Sequence, residues 1–253
     1  MKSAPTIGLS AESIARFHRE GFLVIERFLD PALVAALMAE TEAVIADPPP
    51  LRTRAEFELG YWTLWGVISH HIWGLEQRGQ ALAALQADTR PHAIATELAG
   101  CPVQTVGMSM QTMYANCGCR QPWHQDHTPG DPRLWWINCV YYLADMNEDN
   151  GSLLVIPGSQ RQPLDQRMTD YGLVPGAQRV RCPAGSAVFF TNGLLHAVDE
   201  NRSSWLRRSL KVNYVPEGCN FSGQHEQRYS RGIRRGSGPV ASTANPTTSH
   251  WFA

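Results

Sequence analysis

Charge of one sign is what this chain of 253 residues most plainly lacks: 22 Lys and Arg stand against 23 Asp and Glu, a formal net charge of −1. So balanced a charge argues against nucleic acid or an acidic membrane as the main partner. The short basic run from Arg231 to Arg235 reads as a solvated tail segment. Long apolar runs are missing too, and nothing approaches the roughly 20 residues of a membrane span. The start, Met1-Lys2-Ser3-Ala4-Pro5, leads into polar sequence without the apolar core of a signal peptide. The expectation is a cytoplasmic protein with no membrane partner. Six cysteines (101, 117, 119, 139, 182 and 219) in a chain of this length make no disulfide framework. Cys117-Gly118-Cys119 lacks both the spacing and the matching second pair of a structural zinc site. An HExxH helix is absent, which argues against a zinc hydrolase. Internal repeats and low-complexity segments are absent as well.

Hydrophobic residues at 43% and charged residues at 18% are enough to build one ordinary globular core. The domain expected is therefore single, with a helical part over about 1–100, a β core over about 101–216 and an irregular tail over about 217–253. Ser10 is placed to cap a helix, Glu12 lies in its first turn, and Gly21 ends it. Phe22 to Ile25 reads as a short buried strand. Asp30-Pro31 opens a second helix with Val34, Leu37, Met38, Val44 and Ile45 at helical spacing, and the prolines 48–50 stop it. Residues 51–75 are aromatic and irregular, and Gln80 to Leu98 reads as one further helix. From Val103 onward short β-like runs alternate with Gly, Pro, Asp and Asn: Val106 to Tyr114, Trp135 to Leu143, Leu153 to Ile156, Ser186 to Phe190 and Ser209 to Val215. Many short strands with turn signals predict a sandwich or barrel over a parallel sheet.

Chemistry concentrates at Trp123-His124-Gln125-Asp126. On a helix, His124 and Asp126 would point apart; on a strand they share a face and can grip one ion from one side. His127 would turn away by the same parity, and the adjacent His70-His71 pair diverges in either regular structure. His196 adds a second imidazole at the end of an apolar, strand-like run. Two His and one carboxylate on one face of an octahedral ion is the donor set of non-haem Fe(II) oxygenases.

These residues, with Asn150-Gly151-Ser152-Leu153, Pro157-Gly158-Ser159, Asn201-Arg202-Ser203 and Arg207, resemble the phytanoyl-CoA dioxygenase family of Fe(II)- and 2-oxoglutarate-dependent oxygenases. The resemblance runs from Phe17-His18-Arg19-Glu20-Gly21-Phe22 to about Pro216 and departs at Gln160, where the family often has His. It implies a mainly β (α+β) fold, a double-stranded β-helix of jelly-roll or cupin-like form with N-terminal helices packed on one sheet. It makes His124, Asp126 and His196 the iron ligands, and Arg207, eleven residues after His196, the partner of the distal carboxylate of 2-oxoglutarate. Arg208 is the rival. Strand parity groups it with Leu210, Val212 and Tyr214, whereas Arg207 goes with Ser209, Lys211 and Asn213 on the polar face. Ser209 can add a hydroxyl to the same carboxylate. Gln111, Gln121 and Asn138 fall where relatives contact 2-oxoglutarate, and Leu153 replaces a threonine found in some of them.

The activity implied is O2-dependent decarboxylation of 2-oxoglutarate to succinate and CO2, coupled to hydroxylation of a small molecule. Desaturation, epoxidation or cyclisation use the same cofactors. Halogenating relatives replace the carboxylate of the triad with a small residue, and here Asp126 is present. A cupin-type metal protein or isomerase without O2 chemistry is the rival of a different class, and it has no need of Arg207. Tyr61, Trp62 and Trp205 are candidates for a partly apolar substrate pocket.

Overall fold

The computed structural model describes residues 8–46, 61–64, 69–73, 75–116, 120–126, 135–162 and 172–218, with the backbone alone for 61–64, 69–73 and 106. Ser10 Oγ accepts the Ser13 amide at 3.1 Å and opens α1 (Ala11–Glu20), whose first turn carries Glu12 and whose last carries His18 and Arg19. Those charges complement the two ends of the helix dipole. Gly21 closes α1 at φ 85°, and its amide donates to the Phe17 carbonyl. Strand β1 (Phe22–Ile25) follows, then α2 (Pro31–Ala46), where Asp30 Oδ1 accepts the Leu33 amide at 2.8 Å. Prolines 48–50 lie outside the described residues.

Two expectations change here. Gln80 to Leu98 is two helices, α3 (Gln80–Gln86) and α4 (Arg90–Ala99), because Pro91 has no N–H to carry a helix through and so starts one instead. Asp88 completes the break by accepting the Arg90 amide at 2.9 Å. Within the segment expected to be irregular, β2 (Tyr61–Leu64) and β3 (Ser69–Trp73) pair antiparallel and extend a sheet edge. Aromatic residues suit a pleated, half-buried surface, and an edge strand offers unpaired backbone groups to complete.

The remaining strands are β4 (Val103–Met113), β5 (Gln121–His124), β6 (Ile137–Tyr142), β7 (Leu153–Val155), β8 (Gln178–Arg179), β9 (Ala187–Thr191), β10 (His196–Val198) and β11 (Arg207–Pro216). They form a seven-stranded sheet in the order β1-β9-β6-β11-β4-β3-β2 and a four-stranded sheet in the order β5-β10-β7-β8. Neighbouring strands run antiparallel throughout. This is the double-stranded β-helix, with helices on one face of the larger sheet. That outer face packs Met110, Tyr141, Phe189, Leu210 and Val212 against Leu37, Leu82, Ile94 and Leu98 of the helices. The inner face packs Val140, Tyr142, Val188 and Phe190 against Leu153 and Val155 of the smaller sheet. Antiparallel partners share a face. Arg207, Ser209, Lys211 and Asn213 therefore turn into the space between the sheets, while Leu210, Val212 and Tyr214 meet the helices. Among the described residues no helix is long and apolar enough to cross a membrane.

Gly185 locks the helical layer to the sheet. It sits at φ 80° in the turn before β9, and its carbonyl accepts the Leu29 amide at 2.8 Å. A Cβ there would lie 2.7 Å from the Leu29 carbonyl oxygen. Gly185→Ala combines left-handed strain with a backbone clash and is expected to cost about 2–3 kcal/mol of unfolding free energy. The loss should appear as an earlier urea midpoint at unchanged slope.

Candidate metal centre and the cavity beside it

His124 and His196 are register partners across β5 and β10. Directly opposed residues of an antiparallel pair hold their side chains on one face, and here the two imidazole centroids are 4.2 Å apart. Strand β5 ends at His124, so the strand expected to carry both of its ligands stops short of the second. A bend brings Asp126 back, with its Oδ1 3.8 Å from His124 Nε2 and 3.9 Å from His196 Nε2. His196 likewise opens β10 instead of ending an apolar strand, because residues 192–194 turn before it. One donor atom from each of the three lies within 4.8 Å of the others. No second cluster of His, Cys, Asp or Glu of this kind occurs among the described residues.

Local hydrogen bonds set the imidazoles for coordination. His124 Nδ1–H donates to the Pro122 carbonyl and His196 Nδ1–H to the Leu194 carbonyl, each at 2.8 Å. A carbonyl can only accept, so Nε2 of each ring carries the lone pair. Burial, and next the neighbouring His196, push the His124 pKa down to about 4, and burial lowers that of His196. Burial would raise the Asp126 carboxyl. The Lys211 charge, the two imidazoles and an Asn138 hydrogen bond outweigh it and hold the group well below the usual carboxylate range. Near neutrality the three groups are thus two neutral imidazoles and a carboxylate, the state that binds a divalent ion without losing protons first. The donor set fits Fe(II).

Neighbours fix this arrangement. Asn138 Nδ2 donates to Asp126 Oδ2 at 2.8 Å, and Trp136 Nε1 donates to Asn138 Oδ1 at 3.2 Å. Gln125, between the two ligands in sequence, donates to the Gly193 carbonyl at 2.7 Å and the Gln162 carbonyl at 3.0 Å. Ser159 Oγ accepts the Leu195 amide at 2.8 Å. Together they tie both ligand-bearing segments to the Pro157-Gly158-Ser159 turn. The roles of Gln125, Trp136 and Lys211 have no sequence signal, because each depends on pairings between distant strands.

Arg207, only 1% exposed, donates from Nη1 to Ser209 Oγ at 3.0 Å, and its guanidinium carbon lies 5.9 Å from the Tyr142 ring. Arg208 points the other way, pairing with Glu42 of α2 and approaching Met38 Sδ at 3.8 Å. Gln111 is the register partner of Ser209 on the inner face. Gln121 stands opposite Val198, and a β-bulge between the His196 and Val198 pairings restores it to the His124 side despite the odd spacing. Asn138, expected beside 2-oxoglutarate, is placed against Asp126. Tyr61 and Trp62 are located by register alone, paired with Ile72 and His71, and His71 in turn pairs with Gln111. Trp205 is 37% exposed in the turn before β11. His127, Cys117 and Cys119 lie outside the described residues.

Comparison with known proteins points one way. The family model of phytanoyl-CoA dioxygenase matches residues 17–209. An ectoine dioxygenase of Bordetella parapertussis is 28% identical over 236 residues, covering 81% of this chain and 75% of its own. An L-proline trans-4-hydroxylase of Streptomyces griseoviridis is 26% identical over 245 residues, covering 84% and 87%. Among solved structures, the non-haem α-ketoglutarate-dependent carbocyclase SnoK from nogalamycin biosynthesis superposes with a TM-score of 0.67 at 19% identity, over 88% of this chain and 92% of that one. EctD from S. alaskensis, solved with 2-oxoglutarate and 5-hydroxyectoine, also gives 0.67, at 24% identity over 87% and 79%. At these identities the two structures establish the fold.

Acid should weaken the metal-free protein. Below pH 6.5 the unfolded chain takes up a proton at His124 that the folded chain refuses until about pH 4, so stability falls as pH falls through that window. The thermal midpoint is expected to drop across it, with a shallower slope in His124→Gln; an identical slope in the variant would place the titrating group elsewhere. Asn138→Ala releases Asp126 and is expected to weaken Ni(II) binding, read by calorimetry, by about 10–100-fold.

Proposed function

The chain belongs to the phytanoyl-CoA dioxygenase family and is an Fe(II)- and 2-oxoglutarate-dependent dioxygenase; we propose that His124, Asp126 and His196 hold its iron and that it hydroxylates a small molecule. The observation that carries this reading is the cross-strand His124–His196 pair with Asp126 folded against both Nε2 atoms, already in the protonation state a metal needs. These three donors would hold Fe(II) from one side, and the inter-sheet space beside them would take 2-oxoglutarate. When bound, the iron and 2-oxoglutarate supply O2 activation, with decarboxylation to succinate and CO2 and oxygen insertion into a substrate C–H bond.

The chain's own residues bind, orient and exclude water. Arg207 pairs with the distal carboxylate of 2-oxoglutarate through its planar fork, and Ser209 Oγ joins it, in a setting buried enough to strengthen both contacts. Tyr142 flanks that guanidinium, and Phe190 lies 4.9 Å from the His196 ring, so aromatic surface keeps water from the donors. Asn138, itself held by Trp136, binds one oxygen of Asp126 and leaves the other facing the imidazoles. Gln111 and Gln121 add polar contacts to the cosubstrate. Tyr61, Trp62 and Trp205 contribute aromatic surface to the substrate side. The curated relatives are named for ectoine and L-proline, which supports a small-molecule substrate and hydroxylation as the outcome.

Anaerobic addition of Fe(II) and then 2-oxoglutarate to metal-free protein is expected to produce a weak visible charge-transfer band. His196→Ala should abolish it. Arg207→Ala should raise the 2-oxoglutarate dissociation constant about 10–100-fold, the loss of a charge-assisted contact. Iron binding without any band would favour a cupin-type metal protein.

A further inference from the structure

Of the two cations that β11 turns into the inter-sheet space, Arg207 has a ligand in the preceding assignment, whereas Lys211 acts there only through its charge on Asp126. Lys211 stands one inner-face position beyond Ser209, on the side away from Arg207, and one before Asn213. Asn213 is the register partner of Asn138, which holds Asp126. The lysine is half-buried between its own partners, Val140 on β6 and Ser109 on β4, both buried. No hydrogen bond or close ion pair joins its ammonium to a described residue. Two buried polar atoms beside it, Ser109 Oγ and Asn213 Oδ1, also have no hydrogen-bond partner among the described residues. Buried polar atoms of this kind require a partner, and a ligand or an ordered water can supply it.

Charge balance then decides what Lys211 is for. The double charge of ferrous iron and the single charge of Arg207 are matched by Asp126 and the two carboxylates of 2-oxoglutarate. One of those carboxylates has Arg207 as its partner and the other has the metal. Among the described residues this balance leaves the charge of half-buried Lys211 without a counter-ion of its own, which favours an incoming anion.

We propose that Lys211, with Ser109 Oγ beside it, anchors a carboxylate of the substrate, so that the enzyme acts on a small carboxylic acid, oriented by this contact toward the metal. The proposal rests on the cofactor assignment above. No atom of the cosubstrate is required at Lys211.

Acetate is the probe for this site. The full chain is loaded with Co(II) and 2-oxoglutarate, and the proton relaxation of the acetate methyl is measured, because paramagnetic Co(II) speeds relaxation of nuclei held near it. Enhanced relaxation is expected in the wild type, absent in Lys211→Met and Lys211→Gln, and restored in Lys211→Arg. Co(II) is added to saturation, because the neutral variants also lose a charge that favours ionised Asp126, and the 2-oxoglutarate dissociation constant read from the Co(II) visible spectrum should then change by less than about threefold. That binding also shows that each variant is folded. No acetate effect in the wild type, or one that survives in both neutral variants, overturns the proposal. So does a loss of 2-oxoglutarate affinity of about tenfold or more in both neutral variants, which would assign the lysine to the cosubstrate. A wild-type Co(II) spectrum that ignores 2-oxoglutarate overturns the cofactor assignment, and the Lys211 proposal with it.

Discussion

The register between β5 and β10 is the constraint on which the rest of this molecule depends. It sets His124 opposite His196, two residues that lie 72 positions apart in the chain, and it decides that both imidazoles share one face. A slip of one residue in that pairing would send one of them to the outer face of the smaller sheet, among Trp123, Leu154 and Ala197. Much of the surrounding structure serves that register. Gln125 and Ser159 fasten the two ligand-bearing segments to a common turn, and Trp136 with Asn138 aims the carboxylate. The turn at residues 192–194 lets β10 begin at its ligand.

Protonation follows from the same placement. Two imidazoles brought together in a dry space resist charging, because each would be a buried cation next to another, while Asp126 is kept ionised by the positive potential of Lys211. Neutral His and charged Asp are what a divalent ion requires; burial supplies the first, and the Lys211 charge with the Asn138 hydrogen bond supplies the second. This arrangement carries a cost in the absence of metal, since fold stability and acid sensitivity are tied to the same three side chains.

On β11 a single strand does three things by alternation. Its outer positions, Leu210, Val212 and Tyr214, complete the core under the helices, and Arg208 on that face pairs with Glu42. Its inner positions place Arg207 and Ser209 at one end, Lys211 in the middle and Asn213 beside Asn138. Adjacent arginines in sequence thereby meet opposite environments, one a salt bridge to a helix and the other the buried space between the sheets. The pleat alone makes this distinction.

Much of this was legible in the residues. Ser10, Gly21 and Asp30 mark helix ends through local chemistry that needs nothing distant, and the short strands from Val103 onward announce a β core by their alternation with turn residues. The parity argument that separated Arg207 from Arg208 rests on period 2 alone, and the structure places the two on opposite faces as that parity requires. Other features escaped. Pro91 splits a helix that apolar spacing runs together, and β2 and β3 take their regularity from the edge of β4. Strand β5 ends before Asp126, so that carboxylate reaches the imidazoles through a bend that no periodicity encodes. The partners of Asn138, Gln125 and Lys211 came only with the fold. The sequence by itself determined which side chains could bind metal and acid and, along β11, on which face of the strand each lies, because those are local properties of the chain. Tertiary structure decided which of them meet, because contact between β5, β6, β10 and β11 is set by register across sheets, and no single strand carries that information.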